Sequence, residues 1–236
     1  MISYHTLLRL LAIPALVLSS QGLAEPLRVV LAGDSTVCNY PATHPDRGWG
    51  QFIEERFKEG SVKVINLAAP GRSTKTFIKE GRWKQALADK PDFVLIQFGH
   101  NDSHSPDKPE ATDAATEYKD NLGRYIDESR AIGATPILVT PMVRRTFEAN
   151  GKLTDDLQRY ADAMKGVANE KKVTVIDLHA SSKELVEKLG PLESAKLANK
   201  KGDPTHFNEK GARAMAGLVM KELVAAEPRL KANLKP

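Results

Sequence analysis

Ser35 stands in Gly33-Asp34-Ser35-Thr36, directly behind the apolar, β-branched run Leu27–Ala32. A hydroxyl on the turn that leaves the carboxyl edge of a sheet is placed to act as an exposed nucleophile. At neutral pH a serine is a poor one and needs a base within hydrogen-bond reach; taken alone, the tetrapeptide is as easily a polar turn. A matching acid and base occur far along the chain, in Gly202-Asp203-Pro204-Thr205-His206-Phe207-Asn208. An Asp and a His three residues apart in a turn can join through a carboxylate oxygen and Nδ1, which leaves Nε2 free to face a serine. The same segment also reads as a helix start, with Asn208 as N-cap and Gly211 behind it.

Two further pieces follow predicted strands: Gly71-Arg72-Ser73 and Gly99-His100-Asn101-Asp102. Acyl transfer builds negative charge on the carbonyl oxygen, so it needs donors aimed at that oxygen. The backbone N–H groups of Ser35 and Gly71, with the Asn101 side-chain amide, supply three from three strand ends, and glycine admits close approach. Each piece alone is a good turn sequence. All of them in order behind successive strands is a much rarer event.

The elements that must position these residues are legible as short β-branched runs alternating with amphipathic segments, the pattern of βαβ units feeding a parallel sheet. The predicted strands are Leu27–Ala32, Lys63–Leu67, Phe93–Phe98, Pro136–Thr140 and Val173–Ile176. Predicted helices cover Gly50–Lys58, Arg82–Ala88, Ala115–Ile132, Asp155–Lys171, Ser181–Leu189 and Asn208–Ala226. The expected fold class is α/β, a three-layer α/β/α sandwich around a central five-stranded parallel sheet. One stripe runs Tyr118, Leu122, Ile126, Ser129, Gly133, and another Ala214, Leu218, Val219, Leu223; both read as core. Asp102–Ala114 reads as a loop beside a strand end, either walling a site or simply solvated, and Pro228–Pro236 as a frayed tail.

The chain has 236 residues, 41% hydrophobic and 27% charged, with 34 Lys and Arg against 30 Asp and Glu scattered along it. That balance implies neither disorder nor a nucleic-acid partner. Cys38 is the only cysteine, which excludes an intramolecular disulfide and any multi-cysteine metal site. Residues 1–24 differ from the rest: Leu7–Leu18 is mostly apolar and Gly22-Leu23-Ala24 offers small residues for cleavage. This reads as a signal peptide, too short to span a bilayer, with an uncleaved anchor as the alternative. The expectation is one domain over residues 25–236, periplasmic or secreted, with no stable membrane association after cleavage. Its oligomeric state is open.

The four blocks Gly33-Asp34-Ser35-Thr36, Gly71, Gly99-His100-Asn101-Asp102 and Asp203-Pro204-Thr205-His206 resemble those of the SGNH (GDSL-type) hydrolase superfamily, over roughly Leu27 to Val224. The Gly-Arg-Ser block, Gln97-Phe98-Gly99-His100-Asn101-Asp102, Thr140-Pro141-Met142-Val143-Arg144-Arg145 and Asp203–Asn208 resemble its rhamnogalacturonan acetylesterase branch. Met142-Val143 departs from the smaller residues expected before the paired arginines and bears on fine specificity. The resemblance implies a flavodoxin-like SGNH fold and a serine esterase that removes acetyl groups from acetylated rhamnogalacturonan. It implies Ser35 as nucleophile, His206 as base and then acid, Asp203 as its orienting partner, and an oxyanion hole of Ser35, Gly71 and Asn101. It requires no cofactor and no metal. The alternatives are a lipase or thioesterase of the same superfamily, a broader acetylesterase acting for example on acetylated xylan, and a non-catalytic carbohydrate-binding domain.

For an acidic polysaccharide or oligosaccharide partner, the candidate contacts are Trp49, Arg72, His100, Arg144 and Arg145, by stacking or by cationic pairing with uronate carboxylates. Trp49 is favoured as a packed core aromatic over a sugar-stacking one, and exposed arginines are usually just solvated. His100 and His104 flank Asp102, yet no helix is predicted there to bring both rings to one metal and no third ligand cluster accompanies them. Asp34 as a phosphotransfer nucleophile would want a second aspartate for magnesium, which Ser35-Thr36-Val37 does not provide. Cys38 reads as a small buried filler.

Overall fold

The computed structural model describes residues 25–236, so the stretch read as a signal peptide lies outside the described residues. Five strands, β1 (Leu27–Gly33), β2 (Val62–Asn66), β3 (Phe93–Gln97), β4 (Thr135–Val139) and β5 (Thr174–Ile176), form one sheet. All pairings are parallel and the order is β2-β1-β3-β4-β5. Each strand lies within one residue, at either end, of the run that the sequence predicts.

Side chains alternate across a strand, so neighbours enter opposite cores. Val29 and Leu31 join one cluster while Val30 and Ala32 join the other. On one face lie α1 (Thr74–Lys79), α2 (Arg82–Ala88), α3 (Glu117–Ala131) and α4 (Gln158–Lys171), packed through Phe77, Trp83, Tyr125 and Met164. The other carries α5 (Leu178–Ala195), α6 (Glu209–Ala226) and α7 (Pro228–Lys231), through Leu178, Met215, Val219 and Leu230. Because both faces are covered, the central strands β1, β3 and β4 are nearly continuous apolar runs, whereas the edge strand β2 carries an exposed Lys63. This is the expected three-layer sandwich. Among the described residues, no helix is long and apolar enough to cross a membrane.

Several boundaries differ from the sequence reading. Gly50–Lys58 is not an α-helix but two short 3-10 turns, Trp49–Phe52 and Glu54–Arg56, where the backbone of Gly50 lies so close that a Cβ would meet the Val37 carbonyl at 2.5 Å and Leu31 at 2.7 Å. The helix predicted at Ser181–Leu189 is longer, capped by the Asp177 carboxylate on the Ala180 amide and broken at Gly190 before Pro191. Ala214 and Leu218 are half-buried; the fully buried face of α6 runs through Ala212, Met215, Ala216, Val219 and Leu223. Gly133 falls beyond the end of α3 in a left-handed turn. The expected frayed tail is instead ordered, since α7 inserts a fully buried Leu230 into the core and Leu234 bridges Phe57.

The chain leaves β1 for β2 on one side and then crosses back to β3 on the other. The carboxyl ends of β1 and β3 therefore flank the point where strand order reverses, the place where open α/β sheets bind ligands. Gly33, the last residue of β1, is in register with Gln97, the last of β3.

Candidate active site

The turn after β1 is built by Asp34. Its Oδ1 accepts the Thr36 amide at 2.8 Å and the Thr36 hydroxyl at 2.7 Å, which folds the backbone back beneath Ser35. Oδ2 faces His100 Nδ1 at 3.5 Å. Burial alone would raise this fully enclosed carboxyl, but His100 and Thr36 outweigh it and hold it below the usual carboxylate range. Gln97 donates to Thr36 Oγ1 at 2.7 Å and accepts from Trp49 Nε1 at 2.7 Å, so β3 and the first 3-10 turn brace the same turn.

Ser35 Oγ lies 3.0 Å from His206 Nε2, and His206 Nδ1 lies 2.9 Å from Asp203 Oδ2. The other Asp203 oxygen accepts the amides of Thr205 and His206 at 2.8 and 2.9 Å. Burial pushes the Asp203 carboxyl up, but the two amides and the imidazole more than offset it and keep it ionised below its ordinary range. Asn208 does cap α6, its side chain accepting the Gly211 amide, so the helix-start reading and the acid–base reading hold together. Arg145 clamps the loop from behind, donating from Nη2 to the carbonyls of Asp203 and His206 while its guanidinium stacks on Phe207.

Gly71 sits at φ 77°, a conformation costly for residues with a Cβ, and lies two residues before the Ser73 N-cap of α1. Asn101 donates one Nδ2 hydrogen to the Arg72 carbonyl at 2.9 Å, which locks the amide beside Gly71 and leaves its second hydrogen free. Among the described residues, neither the Ser35 nor the Gly71 amide donates to protein. Gly99 opens the segment at φ 142°, and a Cβ there would meet Pro141 at 2.7 Å. Asp102 ties the two loops together by accepting Thr74 Oγ1 at 2.6 Å and Thr112 Oγ1 at 2.8 Å; burial, only partly offset by these bonds, pushes it up to about 7.

A cavity of about 630 Å³ opens over these groups, lined by Ser35, Gly71, His100, Asn101 and His206. Ser35, Gly71, Asn101 and His206 gather there, with Asp203 directly behind. The candidate substrate contacts divide. His100 and Arg144 line the cavity, Arg144 pairing with Asp156 and donating to the His100 carbonyl. Trp49 does not reach it: the ring is fully buried and held by Gln97, because a large aromatic beside the nucleophile turn fills core. Arg72 turns away to pair with Glu80, and Arg145 lies behind the catalytic loop. Missing from the sequence reading are Tyr40, His44, Asp46 and Thr205 on the wall, and His104, weighed only as a metal ligand. Tyr40 stacks on His44 at 4.5 Å on a loop with no regular pattern, and only its place just after the nucleophile turn could have signalled it. Among the described residues, no three His, Cys, Asp or Glu side chains gather as metal ligands. Cys38 is buried, and its thiol is pushed up to about 12 by that burial, which leaves it inert.

Nucleophile, base, carboxylate and a pocket of free donors on one sheet edge are the parts of a serine acyl-hydrolase. The chain belongs to the GDSL-like lipase/acylhydrolase family, which matches residues 31–214. It is 43% identical to rhamnogalacturonan acetylesterase RhgT of Bacillus subtilis, over 83% of this chain and 88% of that protein. To the probable rhamnogalacturonan acetylesterase YesY of the same organism it is 41% identical, covering 82% and 90%. Among solved structures, protein YxiM of Bacillus subtilis superposes with a TM-score of 0.75 at 29% identity, over 85% of this chain and 57% of that one. Axe2, an acetylxylan esterase from Geobacillus stearothermophilus, shares the fold at TM-score 0.65 and 21% identity, over 85% of this chain and 96% of that one.

Proposed function

We propose that the protein is a carbohydrate O-acetylesterase that hydrolyses acetyl esters of rhamnogalacturonan or its oligosaccharides. The observation that carries the chemistry is the unbroken relay from Ser35 Oγ through His206 to Asp203, at 3.0 and 2.9 Å. The substrate rests on the 43% identity to a relative of that name.

In this reading, Ser35 Oγ attacks the acetyl carbonyl as His206 Nε2 takes its proton, and Asp203 steadies the imidazolium through Nδ1–H. The oxyanion lies among the Ser35 and Gly71 amides and the free Asn101 hydrogen. Collapse returns the proton from His206 to the sugar alcohol, leaving acetyl-Ser35. A water deprotonated by His206 then attacks the acyl carbon, and acetate leaves as Ser35 recovers its proton. The polar wall of Tyr40, His44, Asp46, His104 and Arg144 suits a sugar better than a long acyl chain. Acetylated xylan is the second reading, since the same relay and polar wall would serve another acetylated sugar. The apolar run at Leu7–Leu18 supports periplasmic or secreted placement.

The test is acetate release from acetylated rhamnogalacturonan, acetylated xylan and a long-chain acyl ester, each with wild type and Ser35→Ala. The expected outcome is preference for the pectic substrate and a loss of at least about 10³-fold in Ser35→Ala. Serine-dependent activity confined to the long-chain ester would keep the mechanism and overturn the substrate.

A further inference from the structure

Asp34 is fully enclosed and His100 is 3% exposed, and the acyl transfer described above uses neither side chain directly. Nδ1 of the imidazole lies 3.5 Å from Asp34 Oδ2, and among the described residues neither ring nitrogen nor that oxygen makes a hydrogen bond. Buried polar groups left in this way cost stability, so three of them in the two side chains nearest the nucleophile turn and the oxyanion loop call for a reason. His100 belongs to the wall of the catalytic cavity, but with both nitrogens buried its ring offers a sugar no accessible donor or acceptor.

The pair joins two parts of the site. Asp34 Oδ1 is occupied by the Thr36 amide and hydroxyl, the bonds that shape the Ser35 turn, so Oδ2 is the free end of the carboxylate. His100 precedes Asn101, and its backbone is pinned independently of the ring, its carbonyl accepting Arg144 Nη2 and Ser103 Oγ at 2.9 Å each. The ring therefore reaches from the loop of Asn101 to the turn of Ser35. Charge matters as well as shape. A buried carboxylate next to Ser35 repels the negative charge that builds on the substrate carbonyl, and in a low-dielectric site that repulsion is strong unless something offsets it. Among the described residues no Lys or Arg pairs with Asp34, and His100 is the basic side chain that faces it.

We propose that His100 is a positioning residue for Ser35: its Nδ1–H holds Asp34 Oδ2, which steadies the nucleophile turn and offsets the Asp34 charge beside the developing oxyanion. A carboxylate oxygen only accepts, so Nδ1 carries a hydrogen whether the ring is neutral or charged, and Nε2 is the nitrogen left without a partner. At 3.5 Å the pair is a charge contact rather than a hydrogen bond, and contacts of this kind often tighten when substrate binds. The inference rests on the Ser35 mechanism and is independent of which ester is cleaved.

Two measurements test it. In ¹⁵N-labelled wild type, ring ¹H–¹⁵N correlations assign the His100 tautomer: a protonated Nδ1 is expected, and a bare Nδ1 would overturn the inference. Hydrolysis of 4-nitrophenyl acetate, which carries no sugar, then reads the chemistry of Ser35 alone. His100→Leu is expected to lower kcat about tenfold or more with KM held within about twofold, as for a nucleophile held slightly out of place. His100→Asn, whose amide can stand where Nδ1 stood, should recover most of that loss. In an Asp34→Asn background, where there is no charge to hold, His100→Leu should cost about twofold or less. Equal losses in His100→Leu and His100→Asn, or an undiminished loss in the Asp34→Asn background, would reduce the ring to packing and overturn the inference. The tautomer is read on the wild type and decides even where His100→Leu does not fold. Hydrolysis equal in wild type and Ser35→Ala would overturn the Ser35 mechanism and this inference with it, whereas Ser35-dependent hydrolysis indifferent to His100 would overturn this inference alone.

Discussion

The three donors proposed for the oxyanion differ in what fixes them. The Ser35 and Gly71 amides are backbone and follow the turn geometry, but Asn101 depends on one bond, from Nδ2 to the Arg72 carbonyl. Asn101→Ala is expected to lower turnover on the order of 10²-fold with an unchanged unfolding transition, checked by initial rates of acetate release beside circular dichroism. Turnover equal to wild type would remove Asn101 from the site. The turns Asp34–Thr36 and Asp203–His206 were legible in the sequence because their hydrogen bonds close within three residues, whereas Asn101 and Asp102 bond to Arg72, Thr74 and Thr112 and were read through the resemblance of the four blocks. The substrate wall was not, because which side of a side chain faces a cavity is settled at long range. Trp49 and Arg145 have the right chemistry for a glycan, yet partners 48 and 58 residues away turn one into core and the other into a brace.

At the scale of elements, burial decides what the pattern can and cannot announce. The central strands read correctly because a strand covered on both faces is a nearly continuous apolar run. The helix of Arg82–Ala88 reads correctly too, with Trp83 and Ala86 on one face. The 3-10 turns near Trp49 and the short α1 do not: in Thr74–Lys79 the buried residues are only Thr74 and Phe77, too few to mark an apolar stripe. The tail after Pro228 shows the same limit: it holds one apolar anchor that counts, Leu230, wholly enclosed by the core under α6. Leu230→Ala should cost about 3 kcal/mol, read from urea denaturation, as the cavity left by a buried leucine cannot fully collapse. A loss under 0.5 kcal/mol, the range of ordinary surface changes, would return the segment to a frayed tail.

For the whole molecule, three carboxyls, the fully buried Asp34 and Asp102 and the half-buried Asp203, shape how stability follows pH. Asp34 and Asp203 are held below the 3.8 of a free aspartate, so the stability they contribute is full above that value and is lost as pH falls through their lower, folded-state values. Asp102 acts in the opposite sense. Unfolded, it gives up its proton near 3.8, whereas the fold retains that proton to about 7, so rising pH across this interval favours unfolding. Asp102→Asn is therefore expected to remove the decline in unfolding temperature between pH 4 and 7 while keeping the loss below pH 4; an unaltered decline would exclude Asp102 as its source. The site also spans the chain unevenly. Asp203 and His206 share one turn, but Ser35 is 171 residues from His206. During refolding, the acid–base half needs only a local turn, while the nucleophile meets it only after β1 has joined the sheet and α6 has docked. Recovery of acetate release should consequently lag the return of helical ellipticity, which makes turnover itself a clock for the last long-range step of folding.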